Sequence, residues 1–106
     1  MSQTIIDTLK EQYNRDLRKQ VLKSIQKSEK NNDKKTLDSS YQVINQIFSY
    51  IISQLGWNIS ENTNNWDDTP LKIITEVFPK IETTKWFKEQ QINVTKSIRF
   101  EDNFKG

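Results

Sequence analysis

From Ser2 to Lys30 the apolar residues Ile5, Leu9, Tyr13, Leu17, Val21 and Ile25 fall four apart, with Ile6 and Leu22 widening the stripe. This spacing predicts a helix over about 2–30, uninterrupted by glycine or proline. A strict four-residue step advances about 40° per repeat at 3.6 residues per turn, so the stripe winds around the rod. Such a helix should cross its neighbours obliquely or be flanked by more than one of them. The charged run EKNNDKK then ends it.

A second apolar pattern, Leu37, Tyr41, Ile44, Phe48, Ile51 and Leu55, alternates steps of four and three, as in a bundle seam. It predicts a helix over 37–55, thickened by Val43, Ile47, Tyr50 and Ile52 and capped by Thr36 or Asp38. Gly56 suits the left-handed position after its last turn, with Trp57 packing back on Ile52. Residues 58–69 read as a polar loop anchored by Trp66. Thr69 and Pro70 then cap and open a third helix over 70–78, carrying Leu71, Ile74 and Phe78. Pro79 disfavours helical geometry at Phe78 and predicts a break before a fourth helix over 80–91, which presents Ile81, Trp86 and Phe87. Beyond it, INVTKSIRF alternates Ile92, Val94, Ile98 and Phe100 with polar residues, the period of a strand. No second segment alternates in this way, so 92–106 is expected as an extended, strand-forming tail that crosses its own bundle, joins a partner's sheet or pairs with a second copy.

The expected fold is therefore all-α: one domain, 1–106, forming a three- to four-helix bundle with an extended C-terminal tail. At 106 residues the chain is long enough for one core and too short for two. It is lean in apolar residues, at 33%, which leaves room for completion by a partner.

The residue inventory narrows the chemistry. Cysteine and histidine are both absent. Disulfides, thiolate metal sites, the usual zinc ligands and the Ser-His and Cys-His nucleophile pairs are thereby excluded. Two glycines leave no loop to cradle phosphates and no dinucleotide fingerprint. The carboxylates Asp67, Asp68, Glu101, Asp102, Asp38 and Glu61 lack the glycine-centred calcium-loop spacing and read as solvated or helix-capping groups. The chain is accordingly read as non-enzymatic, with no cofactor and no metal. The N-terminus lacks a signal-peptide pattern, and residues 41–57 are too interrupted by polar side chains to span a bilayer. These features point to a cytoplasmic or nuclear protein.

Charge is divided unevenly: residues 1–35, 36–69 and 70–106 carry nets of +4, −4 and +2. Within the first segment, Arg15, Lys19, Lys23, Lys27, Lys30 and Lys34 step by three or four along one helix face, a candidate polyanion-binding ridge. The second helix has the opposite character. Its only charged side chain is Asp38, and its polar face is built of Ser, Gln and Asn, which tolerate burial against a partner better than lysine or glutamate. The candidate protein interface comprises Tyr41, Phe48, Trp86, Phe87, Ile92, Val94, Ile98 and Phe100. The leading expectation is a small accessory or adaptor subunit that binds another protein, or a second copy of itself. The alternative is a nucleic-acid-binding subunit of a nucleoprotein complex that uses the ridge.

Overall fold

Asn14 interrupts what the periodicity reads as one long rod. In the computed structural model, which describes residues 2–56 and 68–94, the first stripe is divided between α1 (Ser2–Gln12) and α2 (Arg15–Asn31). Asn14 is extended, at φ −65° and ψ 170°, and its Oδ1 accepts the Leu17 N–H at 2.9 Å, the geometry of an N-cap. Arg18 Nε donates to the Tyr13 carbonyl at 2.8 Å and occupies an acceptor freed by the end of α1. The break resolves the winding of the stripe. Each piece carries its own part of the apolar stripe, α1 onto α4 and α3, and α2 chiefly onto α3.

α2 and α3 (Lys34–Gln54) form a tight helical hairpin. Asn32 is left-handed, at φ 54°, a conformation asparagine tolerates, and closes α2 with its backbone N–H on the Glu29 and Ser28 carbonyls. Asp33 caps α3, accepting from the Thr36 N–H at 3.3 Å and the Thr36 hydroxyl at 2.8 Å. Those hydrogen bonds hold its carboxyl below the ordinary range. The cap is thus Asp33 rather than Thr36 or Asp38, and α3 begins three residues before the expected start. Gly56 follows α3 at φ +75°, the left-handed conformation expected of it.

α4 (Thr69–Val77) has Pro70 in its first turn, where the missing N–H does no harm, but its N-cap residue is Asp68 rather than Thr69. The break at Pro79 occurs where expected. Phe78 leaves the helix at φ −123° and ψ 83°, and Pro79 and Lys80 form a turn closed by the Ile81 N–H on the Phe78 carbonyl at 3.0 Å. Lys80, at φ 79° and ψ 6°, takes the position of a type II turn that normally favours glycine. A 3₁₀ turn (Ile81–Thr83) leads into α5, residues 85–94.

The architecture is all-α, with no strand among the described residues. The expected tail is corrected at its start: Ile92, Asn93 and Val94 are helical, and Val94 is buried. The rest of INVTKSIRF lies outside the described residues, as do Trp57 and Trp66. The core joins Ile5, Ile6 and Leu9 of α1 to Ile44, Ile47, Phe48 and Ile51 of α3 and to Leu71, Ile73, Ile74 and Val77 of α4. Phe78, Ile81, Trp86, Phe87 and Val94 close it. From α2 only Ile25 is fully buried among the apolar residues, with Val21 and Leu22 half-covered. α2 packs chiefly on α3 and meets the 77–86 segment through Arg18, Gln26 and Glu29.

Candidate functional site

Four of the eight side chains expected at a protein interface are core residues. Phe48, Trp86, Phe87 and Val94 are 6, 2, 5 and 5% exposed. The reason lies in how α5 begins. The first free N–H groups of a helix need acceptors, and the segment preceding α5 supplies only one side chain, Thr84, whose Oγ1 accepts from the Phe87 N–H at 3.2 Å. The other two acceptors come from α2: Glu29 takes the Lys85 N–H on Oε1 at 3.0 Å and the Trp86 N–H on Oε2 at 3.1 Å. Its negative charge also suits the positive end of α5. Tyr41 of α3 donates its hydroxyl to the same Oε2 at 2.5 Å. Trp86 is then held on two sides. Its Nε1 donates to Asn45 Oδ1 at 2.7 Å, and its ring meets Phe48 edge to face, with centroids 5.3 Å apart and planes at 85°.

Glu29 is the residue that sequence reasoning missed. It carries the stripe Val21, Ile25 one step further, so an acid occupies an apolar position, and that was the available signal. Its burial, with three donors converging on it, explains why an acid is tolerated there.

Tyr41 remains half-buried and engaged with Glu29. Burial first, and then the hydrogen bond to Glu29, push its hydroxyl well above the ordinary range. Because the folded state favours the neutral phenol, this contribution to stability is complete below the unfolded pKa of about 10 and is lost as pH rises past it. Tyr41→Phe should therefore flatten the loss of stability in strong alkali, read as urea midpoints at successive pH values. Identical alkaline slopes for the two proteins would remove Tyr41 from this role.

The surface that stays open differs on the two sides of α2. Towards α3, a groove of about 300 Å³ runs along the hairpin. Its apolar residues are Leu17, Val21 and Val43, with Leu17 39% and Val43 36% exposed. The rest of its lining is Gln20, Ser24, Thr36, Ser39 and Ser40, so its lining is uncharged, and Lys23, Lys27 and Asp33 lie on the surface that adjoins it. The hydroxyls of Ser24 and Ser40 meet across its floor at 2.8 Å. Farther round α3, Gln42, Asn45, Gln46 and Ser49 present the uncharged face anticipated from the sequence, with Asp38 at its margin. Ile92 of α5, 54% exposed, lies free at the surface, while Ile98 and Phe100 fall outside the described residues.

On the other side of α2, a second groove of about 570 Å³ separates the helix from the Phe78–Lys80 turn. Arg15, Lys19 and Lys23 of the expected ridge border it, joined by Arg18 and Lys80, which the ridge did not include. Lys27 lies beside a shallower surface shared with Asp33. Lys30 is exposed on the last turn of α2, whereas Lys34 belongs to α3, beyond the hairpin bend, so the six-residue ridge is not one helical row. Among the described residues the only ion pair is Lys72 with Asp68 at 3.5 Å, so no carboxylate neutralises the groove's cations in an ion pair.

Among the described residues no cluster of acids could hold a metal ion, and no helix is long and apolar enough to cross a membrane. No protein-family model, no curated protein and no solved structure matches the chain.

Proposed function

We propose that this protein is a non-catalytic helical adaptor that takes an amphipathic helix of another protein into the α2–α3 groove. The observation that carries this reading is the uncharged lining of that groove in a chain that is 28% charged. A groove whose own lining holds no lysine or glutamate can be covered at little desolvation cost, and its serines let a helix backbone approach closely. Leu17 and Val43 stay exposed beside α2 and α3, so a helix laid against them and Val21 extends the bundle in the way helices already pack within it. The uncharged surface of Gln42, Gln46 and Ser49 widens the contact towards the roughly 1,000 Å² that a stable interface needs. With Trp86, Phe87 and Phe48 in the core, the binding energy comes from Leu17 and Val43 and from neutral hydrogen bonds.

The test places a photo-crosslinking residue at Ser39 of the full chain in its native source and identifies the adduct. The identified protein is then purified and titrated against the chain and its Val43→Arg variant. The expected result is one dominant heterologous adduct and binding weakened roughly tenfold or more by the arginine, the scale of a lost anchor. Unchanged binding by a folded Val43→Arg protein overturns the proposal. A crosslink only to a second copy of the chain replaces it with self-association.

A further inference from the structure

We infer that the groove between α2 and the Phe78–Lys80 turn is a binding site for the phosphate backbone of a nucleic acid. It lies on a different side of α2 from the adaptor groove and does not rest on that reading. Five cations converge here: Arg15, Arg18, Lys19 and Lys23 from α2, and Lys80 from across the groove. Like charges repel, and a surface helix ordinarily intersperses acids to relieve this. No carboxylate lines this groove, and none of its cations is in an ion pair among the described residues.

The walls are held in place. The half-buried Arg18 spans the gap, with Nε on the Tyr13 carbonyl at 2.8 Å and one terminal nitrogen on the Val77 carbonyl at 3.3 Å. Of its five N–H donors, three remain for a ligand. Gln26 ties the same wall of α2 to Thr83 at 3.3 Å. Lys80 is a lysine in a left-handed turn position, at φ 79°, where glycine would be the relaxed choice. The fold thus holds a cation opposite α2 at some cost in backbone strain.

The length of the charged surface identifies a polymer rather than a single anion. Beyond the groove, cations continue along α2 to Lys27, on the surface it shares with Asp33, and to Lys30, so Arg15 to Lys30 span a reach of about 22 Å at 1.5 Å per residue. One phosphate would engage one end of it, whereas a chain of phosphates uses it throughout. The exposed lysines contact phosphates as point charges and carry no base preference, so the site binds without sequence specificity.

The experiment measures anisotropy of labelled single-stranded oligonucleotides with the full chain across a salt series. Engagement of about four phosphates gives a log–log salt slope near −3, at roughly −0.7 per phosphate on a single strand. Lys19→Glu combined with Lys23→Glu should weaken binding at least roughly tenfold and flatten that slope by about 1.4. The equal charge change Lys35→Glu with Lys88→Glu, at exposed sites elsewhere, should leave the slope unchanged. Lys80→Gly removes the opposite cation and relaxes its turn, so weaker binding by that variant reports the missing charge rather than a damaged fold. Several outcomes overturn the site: no retention at low salt, equal losses in both charge-reversal pairs, or equal competition by polyglutamate, which would make the ligand an acidic peptide. Saturation by inorganic phosphate with no oligonucleotide binding would also overturn it.

Discussion

Trp86→Ala is expected to lower the unfolding free energy by about 3–5 kcal/mol, the cost of emptying a large aromatic site in a packed core. For a domain whose total stability is of the order of 5–15 kcal/mol, this is enough to bring it close to unfolding. Trp86 is 2% exposed, stacks edge to face on Phe48 and donates its indole N–H to Asn45. Trp86→Phe separates these contributions. It retains most of the ring volume and leaves Asn45, itself exposed, to water, so its cost should be about 1–2 kcal/mol. Urea denaturation followed by far-UV circular dichroism reads both values. A wild-type midpoint for Trp86→Ala would sink the core assignment and return this residue to the interface set.

Glu29→Ala should cost roughly 2–4 kcal/mol, since it removes the acceptor for two backbone N–H groups of α5 and for the Tyr41 hydroxyl together. Glu29→Gln should rescue little of this. An amide offers a single oxygen to donors that now meet both carboxylate oxygens, and its NH₂ would face a backbone N–H. The decisive measurement is a double-mutant cycle with Tyr41→Phe. Coupling of about 1 kcal/mol or more is expected for groups sharing one carboxylate oxygen. Additive losses would mean that Glu29 acts on α5 alone. Hydrogen exchange supplies an independent reading, because the amides of Lys85 and Trp86 should lose protection before those of α3.

Some of the candidate surfaces were legible from residue types and some were not. The neutral face of α3 was readable because exposure of Gln42, Gln46 and Ser49 follows directly from their offset to the apolar seam. The cationic face of α2 was readable in part. Arg15, Lys19 and Lys23 are one helical row, but Arg18 and Lys80 join them only because a turn some sixty positions later in the chain folds against α2. Lys34 was assigned to the row because a four-residue step runs past Asn32 as if no bend were there. Trp86 and Phe87 were read as core residues first and as interface candidates second, for a related reason: two adjacent aromatics on a short helix can serve a core or a partner. What decides between them is the remote carboxylate of Glu29 and the ring of Phe48.

By itself the sequence determined the all-α class, the left-handed position of Gly56, the break at Pro79 and the absence of histidine and cysteine chemistry. Each of these depends on local periodicity, on the backbone of a single residue or on composition, and none needs a distant partner. Only the tertiary structure decided that Asn14 splits the first helix, that Glu29 caps the last one and that Lys80 faces Lys19 and Lys23 across a groove. An asparagine becomes a cap, a buried acid becomes tolerable and two cations become one site only once the chain has brought their neighbours within hydrogen-bonding or Coulombic reach.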